Sequence, residues 1–258
     1  MRIKEVIDAL ERFAPLPLQD DFDNAGMQIG LTEAEVTGAL LCLDVTEAVV
    51  DEAIAWGYNL IVAHHPLLFK GCKSITGANY VERCILQAIR NDIAIYAAHT
   101  NLDNVPEGVN FKIAEKIGLR NVRFLEERRE GGGGEGIIGE LDVPETELEF
   151  LRRIKQTFEA GCVKHNKLMG REIQTVALCG GAGAFLLPLA VDRHADVFIT
   201  GEMKYHEYFG HDDILLAEIG HYESEQYTKE IFLSIIREAF PNLPVQPCRT
   251  NTNPIKYL

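Results

Sequence analysis

The chain has 258 residues, and its 25 Lys and Arg against 39 Asp and Glu leave a formal net charge of −14. With 47% hydrophobic and 25% charged residues, it has the composition of a globular protein of one large or two small domains. The acidity argues against a protein that coats nucleic acid or binds an anionic membrane, because both surfaces attract an excess of Lys and Arg. It does not exclude a site that gathers cations.

The N-terminus has the pattern of an amphipathic helix rather than of a targeting signal, because charges interrupt its apolar residues. No run approaches the ~18 apolar residues of a membrane span. The six cysteines are scattered without a C-x-x-C pair, which indicates reduced thiols. We therefore expect a cytoplasmic protein with no membrane partner.

The first half of the chain alternates apolar strands with helices. The predicted elements are helix 1–13, a turn-rich segment 15–30, strand 38–45, helix 46–57, strand 59–63, helix 79–90, strand 93–99 and helix 107–117. Thr46 and Gly57 carry the cap signals of the second helix. A strand, a helix and a second strand form a βαβ unit, so the sheet is expected to be parallel there.

Residues 126–136, EERREGGGGEG, are the clearest break in the chain. Charges and five glycines over eleven positions predict a flexible linker or loop, neither strand nor helix. We therefore predict an N-terminal subdomain 1–125 and a C-terminal subdomain 137–258. The second half is predicted to contain strand 137–141, helix 145–159, strand 174–179, helix 184–193, strands 196–200 and 214–219, and helix 223–239.

The two halves look duplicated. An offset of 137 residues places 39–65 over 176–202 without a gap, so that Cys42 falls on Cys179 and His65 on Glu202. Identities are few, and a coincidental likeness of two βαβ units is the alternative. If the duplication holds, each half presents polar residues at the carboxyl ends of its strands, where open α/β sheets build their sites.

Histidines and carboxylates follow three predicted strands. These residues are His64 and His65, then His99 and Asp103, then His221, Glu223 and Glu225. A lone histidine after a strand is more often a core or turn residue, but three such strand ends predict a metal site. Imidazole with carboxylate and without cysteine suits Zn, Fe, Mn, Co or Ni rather than Mg²⁺ or Ca²⁺.

The number of candidate ligands predicts two ions. One tetrahedral catalytic zinc uses three protein ligands and a water. Five candidate ligands better suit two divalent ions bridged by a carboxylate and a water; they are His64, His65, Asp103, His221 and Glu225. His221 and Glu225 are four residues apart and share one face of a helix. The alternative for a carboxylate there is compensation of the helix dipole, which Glu223 fits better.

Four further features have two readings each. His99 is a candidate either for orienting a metal ligand through a hydrogen bond or for acting as a catalytic acid/base. Lys204 and His206 are either site residues or solvated surface. The glycines of 180–183 form either a phosphate-binding turn or, as we favour, a tight strand-to-helix turn without a ligand. The chain has no G-x-x-x-x-G-K-[ST] motif.

The sequence resembles the Nif-three-like dinuclear-metal proteins, often labelled GTP cyclohydrolase 1 type 2 homologues. The resemblance is carried by DNAGMQIG (23–30), DVTEAVVDEAI (44–54), NLIVAHHPLLFKG (59–71), AHTNLD (98–103), ALCGGAG (177–183), DVFITGEMKYH (196–206) and GHYESE (220–225). It implies two related α/β/α subdomains with mixed, largely parallel sheets, and a metal site in the cleft between them. It also implies a homohexamer.

The resemblance assigns five metal ligands by motif. His64 and His65 match the paired ligands of AHHP, Asp103 matches the carboxylate of AHTNLD, and His221 and Glu225 match the ligands of GHYESE. The cyclohydrolase label is a homology name and does not settle the substrate.

We predict a metal-dependent hydrolase in which a metal-bridging hydroxide attacks a small molecule, a nucleotide or a phosphoester-like compound, while His99 carries the proton. The alternative is a non-enzymatic metal-handling or regulatory partner protein, which the acidic composition and the lack of a substrate motif would fit.

Overall fold

The structure is a computed structural model that describes residues 1–128 and 132–258. The chain forms two compact units. Unit 1 contains Met1–Val105 and Thr228–Asn253, and unit 2 contains Pro106–Tyr227 and Pro254–Leu258. Each unit contains one mixed β-sheet with parallel strands at its centre and helices beside it, which confirms the predicted fold class.

The helices and strands are numbered along the chain. The first segment of unit 1 contains α1 (Ile3–Phe13), β1 (Gly26–Ile29), β2 (Ala39–Cys42), α2 (Glu47–Trp56), β3 (Leu60–Ala63), α3 (Tyr80–Arg90), β4 (Ala94–Ala97) and α4 (Thr100–Asp103). Unit 2 contains α5 (Val109–Ile117), β5 (Arg120–Glu127), β6 (Gly134–Thr146), α6 (Glu147–Thr157), β7 (Lys164–His165), β8 (Glu172–Cys179), α7 (Leu187–Asp192), β9 (Val197–Thr200), β10 (Leu215–Glu218) and α8 (His221–Glu225). The last segment of unit 1 contains α9 (Thr228–Ala239) and β11 (Val245–Pro247).

The sheet of unit 1 has the order β1-β4-β3-β2-β11, and only β1 runs antiparallel to its neighbour. All residues of β2, β3 and β4 are buried, as expected for parallel strands covered on both faces. The predicted caps of α2 are present, because the Thr46 side chain accepts a hydrogen bond from Val49 N and Gly57 adopts a left-handed conformation with φ 69°.

The sheet of unit 2 has the order β5-β6-β8-β9-β10-β7, with parallel pairing from β8 through β10. Its apolar core is built from strand residues such as Phe198 and Leu216 together with Leu187 and Ala190 of α7. The helix predicted over 184–193 begins as a 3-10 turn, Gly183–Leu186, before α7.

The segment 126–136 differs from the predicted linker. Strands β5 and β6 form an antiparallel hairpin in which Glu127 pairs with Gly134, so residues 126–127 and 134–136 belong to strands. A Cβ at Gly134 would lie 2.4 Å from Cγ of Phe124. This glycine therefore serves close packing of the hairpin rather than flexibility. Residues 129–131 of the predicted linker lie outside the described residues.

The unit boundaries also differ from the predicted subdomains 1–125 and 137–258. The chain passes from unit 1 to unit 2 after Val105 and returns at Thr228, so α5 and β5 belong to unit 2 and α9 to unit 1. The physical reason is pairing and packing: β5 pairs with β6, whereas α9 packs against α1, β2 and β11. Glycine content alone could not show which strands pair.

The predicted duplication agrees with the strand register. In unit 1 Ala39 pairs with Leu60, and in unit 2 the residues 137 positions later, Val176 and Val197, pair in the same way. The match continues along all four pairs of β2–β3 and β8–β9. The third parallel strands, β4 and β10, correspond at an offset of 121 residues, and each is followed after two residues by a short helix.

No helix within residues 1–128 and 132–258 combines the length and the apolar character needed to cross a bilayer. The six cysteines are free thiols, as predicted.

Candidate metal centre

Three histidines of unit 1 come together at the carboxyl ends of neighbouring parallel strands. His64 and His65 follow β3, and His99 follows β4. One ring nitrogen from each lies within 4.8 Å of the other two, and the ring centroids are 4.9 to 5.4 Å apart. The pairing of β3 with β4 aligns the two strand ends, which is why residues 34 positions apart in the sequence meet.

The rings of His64 and His65 are oriented by hydrogen bonds from Nδ1. Nδ1 of His64 donates to the carbonyl oxygen of Ala98 at 2.9 Å, and Nδ1 of His65 donates to Oδ1 of Asp44 at 2.7 Å. Because both partners are acceptors, the proton of each neutral ring lies on Nδ1, and Nε2 keeps a lone pair for a metal ion. Asp44 is itself held by Thr252, whose hydroxyl donates to Oδ2 at 2.7 Å.

His99 has the same arrangement. Its Nδ1 donates to Oδ1 of Asp23 at 2.7 Å, and Thr100 donates to the other oxygen of Asp23 from its backbone N and its hydroxyl. Burial raises the pKa of Asp23, but the hydrogen bond and charge of His99, the hydrogen bond from the Thr100 hydroxyl and that from the backbone N of Asn24 outweigh it and lower this pKa to about 2. Asp23 is therefore ionised near neutral pH.

Asp103 brings a carboxylate to the same histidines. Its Oδ1 lies 3.7 Å from Nε2 of His64, whose side chain is completely buried. The side chain of Asp103 is 22% exposed as a whole, but its Oδ1 is buried. Unit 1 thus brings together four residues that the sequence had singled out, and the His99 ring lies only 5.3 and 5.4 Å from the rings of the paired histidines.

In unit 2, His221 and Glu225 form a pair on α8. Nε2 of His221 lies 3.1 Å from Oε2 of Glu225, as their spacing of four residues predicts for one helical face. Oε1 of Glu202 lies 3.6 Å from Nδ1 of the same histidine. The Glu225 side chain is 6% exposed and that of Glu202 is 58% exposed, so the pair has a buried carboxylate and an open side.

The glycine turn after β8 supports Glu225 rather than offering its amides to a phosphate. The backbone N of Gly180 donates to Asn110 Oδ1, and that of Gly181 donates to Ser224 Oγ at 3.0 Å. A Cβ at Gly181 would lie 2.2 Å from Oε1 of Glu225. This geometry matches the favoured reading of 180–183 as a tight turn that needs no ligand.

Three other sequence candidates belong to unit 2. Lys204 and His206 are exposed, and the ring of His206 packs against Tyr205 with centroids 5.2 Å apart, as expected of solvated surface. Glu223 is buried, and a Cβ at Gly220 would lie 2.1 Å from its Oε2. The carboxylate of Glu223 therefore lies against the start of α8, as its dipole reading predicts.

Sequence reasoning missed Asp44, Asp23 and Glu202. Asp44 follows β2 at the same sheet edge as the histidines, so its position was a usable signal. The duplication had pointed to Glu202, because the offset of 137 residues aligns it with His65. Asp23 lies 76 residues from His99 in a turn-rich segment, and only tertiary structure shows their contact.

The donor set of unit 1 fits a metal ion. Imidazole nitrogens are borderline ligands that suit divalent transition metals, and carboxylate oxygens are harder ligands that complete many such sites. Carboxylate or carbonyl partners on Nδ1 are the usual support of metal-binding histidines. These residues can therefore hold a metal ion.

One protein-family model matches almost the whole chain. The family model described as Duf34/NIF3 (NGG1p interacting factor 3) matches residues 1–254. The chain belongs to the DUF34/NIF3 family. The resemblance drawn from the sequence motifs is confirmed.

Relatives match this DUF34/NIF3 protein over its whole length. A Clostridium acetobutylicum protein named GTP cyclohydrolase 1 type 2 homolog is 31% identical over 265 positions, which cover 100% of this chain and 99% of that one. A solved structure of a Staphylococcus aureus protein has a TM-score of 0.92 at 30% identity, and a Bacillus cereus protein related to NIF3 has 0.91 at 25%. Both cover 100% of this chain and 99% of their own.

Proposed function

We propose that this DUF34/NIF3 protein is a metal-dependent hydrolase with two divalent ions per subunit, acting on a nucleotide or a phosphoester-like substrate. The observation that carries the proposal is the cluster of three histidines in unit 1, whose ring nitrogens lie within 4.8 Å of one another and whose Nδ1 atoms are each bonded to an acceptor. When bound, the two ions would supply an activated water and a Lewis acid at neutral pH.

In this proposal the ligands are His64, His65, Asp103, His221 and Glu225. Three of them gather in unit 1, and the other two form the pair in unit 2. The grounds for assigning all five to one centre are their donor types and the family resemblance. The resemblance also implies a homohexamer, and the sequence pattern predicts a cytoplasmic location; we include both in the proposal.

The proposed role of His99 is proton transfer. Asp23 accepts the hydrogen bond from Nδ1, which leaves the lone pair of the neutral His99 ring on Nε2. His99 can therefore accept a proton at Nε2 from the attacking water and return it to the leaving group, while Asp23 fixes the tautomer and the orientation of the ring. Asp44 and the carbonyl of Ala98 hold His65 and His64 in the same manner.

The test measures metal content and turnover on the same preparations. The wild type, loaded with Zn²⁺, Mn²⁺ or Fe²⁺, is assayed against nucleotides and phosphate esters, alongside Asp103→Ala and the control Asp8→Ala, which removes an exposed carboxylate of α1. We expect Asp103→Ala to lose metal and turnover while Asp8→Ala keeps both. Equal turnover in wild type and Asp103→Ala would refute the hydrolase. Stable metal binding without turnover, with fast exchange to a chelator, would instead support a metal-handling protein.

A further inference from the structure

A cavity of about 560 Å³ opens in unit 1 beside the histidine cluster. It is bounded by the segment that follows His65, from Pro66 to Ser74, and by the start of α3. Its volume lies within the range of small-molecule sites, roughly 300–1,000 Å³. The reaction of the proposed function needs a place for the rest of the substrate, and this cavity is next to the candidate centre.

Two lysines give the cavity a charge opposite to that of the chain. Lys70 and Lys73 both line it, in a protein with a formal net charge of −14. Within the described part of the chain, neither lysine forms an ion pair with a carboxylate. Two ammonium groups with spare donors are suited to bind a phosphate, which carries up to two charges and several acceptor oxygens.

Glu82 is the acidic residue that lines the cavity, and its carboxylate is hydrogen-bonded within the chain. Its Oε2 accepts hydrogen bonds from the backbone N and hydroxyl of Thr76 and from the backbone N of Ala78, and its Oε1 accepts from Asn79. These bonds lower the pKa of Glu82 to about 2. Because four donors already bind its oxygens, Glu82 holds the wall of the cavity in place and leaves Lys70 and Lys73 available to a ligand.

Phe69 connects the cavity to the candidate centre. It lines the cavity, and its ring stands edge-on to His99 with centroids 6.0 Å apart. Tyr80 lines the cavity as well and is 54% exposed, so a planar ring of a ligand could stack on either aromatic side chain. A ligand in the cavity would thus contact Phe69, whose ring touches His99.

We propose that this cavity binds the phosphate of a small phosphorylated substrate, with Lys70 and Lys73 as the residues that recognise it. The proposal deepens the hydrolase function and rests on it for the reaction, whereas the binding step stands on the cavity alone. It gives an acidic protein a local means of attracting an anion.

The binding test uses inorganic phosphate and the metal-loaded full-length chain. We expect Lys70→Ala/Lys73→Ala to raise the Kd for phosphate about tenfold, because it removes two charge-assisted contacts. The charge-retaining pair Lys70→Arg/Lys73→Arg and the control Lys4→Ala, an exposed lysine of α1, should stay within about twofold of the wild type. All variants should keep the metal content of the wild type.

Cys72 provides a local reporter. It lines the cavity and is exposed, and Cys162 in unit 2 is an exposed thiol for comparison. A phosphate bound beside Cys72 disfavours the thiolate that an alkylating reagent attacks. At constant ionic strength, phosphate should therefore slow alkylation of Cys72, measured by peptide mass spectrometry, without slowing that of Cys162.

The two proposals fail in different ways. Unchanged phosphate affinity in Lys70→Ala/Lys73→Ala, or equal slowing of Cys72 and Cys162, overturns the phosphate site even if the wild type binds metal and turns over substrates. If the wild type shows no turnover but phosphate still slows Cys72 alone and depends on the lysines, the phosphate site stands and the hydrolase does not.

Discussion

Asp44 fixes the ring of His65 through a hydrogen bond of 2.7 Å to Nδ1, and it receives a second one from Thr252 near the end of the chain. One carboxylate thereby links a candidate ligand after β3 to a residue that lies 208 positions from Asp44 in the sequence. The orientation of His65 consequently depends in part on Thr252, which lies outside every motif quoted from the sequence.

Replacement of Asp44 by Asn should weaken metal binding by about 10–100-fold, the usual effect of removing a charged partner from a metal-binding histidine. The neutral amide makes the imidazole of His65 a poorer ligand while it preserves the shape of the side chain. Metal affinity can be measured by competition with a chromophoric chelator. Asp8→Asn, an exposed change on α1, is the control. Equal metal affinities in Asp44→Asn and Asp8→Asn would show that Asp44 does not support metal binding.

Gly181→Ala should displace the Glu225 side chain from its position beside His221. Gly181 has φ +55°, and its new Cβ would lie 2.2 Å from Oε1 of Glu225. We expect a loss of about 1–3 kcal/mol in the free energy of unfolding, from backbone strain and the clash, together with weaker metal binding. Chemical denaturation and metal analysis provide the two measurements.

Gly210→Ala separates these two causes. Gly210 has φ +78°, with nothing within 4 Å of an added Cβ, so this variant carries the strain without the clash. It should lose about 1–2 kcal/mol and retain the metal affinity of the wild type. If Gly210→Ala and Gly181→Ala lose metal equally, the clash between residue 181 and Glu225 does not account for the loss of metal affinity.

Ser224→Ala should destabilise unit 2 by about 1–3 kcal/mol, because it leaves a buried backbone N–H without its acceptor. The Ser224 hydroxyl accepts from Gly181 N at 3.0 Å and donates to the carbonyl oxygen of His221 at 2.8 Å. Urea denaturation measures the change. Ser234→Ala on the exposed side of α9 is the control and should lie within about 0.5 kcal/mol of the wild type.

Glu82→Gln should make thermal stability less dependent on pH. The pKa of Glu82 is lowered from 4.5 to about 2, chiefly by hydrogen bonds from the backbone N of Thr76 and of Ala78. Because the folded pKa lies below the unfolded one, this carboxylate stabilises the fold above about pH 4.5 and loses that contribution as the pH falls toward 2. The variant should therefore have a lower Tm than the wild type at pH 7.

The difference in Tm should shrink as the pH is lowered from 5 to 3. Glu35→Gln, which neutralises an exposed carboxylate of unit 1, should show no such trend. A Tm difference between Glu82→Gln and wild type that is the same at pH 7 and pH 3 would mean that the ionised carboxylate does not hold this turn.

Local signals in the sequence predicted the central strands and their helices well. The strands of unit 1 are continuous apolar runs, and the caps at Thr46 and Gly57 mark where α2 begins and ends. The offset of 137 residues anticipated the register of β2 with β3 and of β8 with β9. These features are local or repeated, so they can be read along the chain.

Features that depend on pairing at a distance could not be predicted. β11 is three residues long and joins β2 across two hundred positions, and β1 lies in a segment read as turns. In the candidate site, the sequence alone identified His64, His65 and Asp103 as candidate ligands, from their residue types and their positions after predicted strands. The contact of Asp23 with His99 was not, because it forms only when β1 and β4 are paired.

The return of α9 and β11 to unit 1 has a consequence for synthesis on the ribosome. β11 pairs with β2, and α9 packs against α1, so the first 105 residues lack one edge strand and one helix until the end of the chain emerges. Unit 2, by contrast, has all its strands once Glu218 is made. The nascent chain must therefore carry an open edge at β2, the kind of edge that attracts aggregation, while the second sheet is translated.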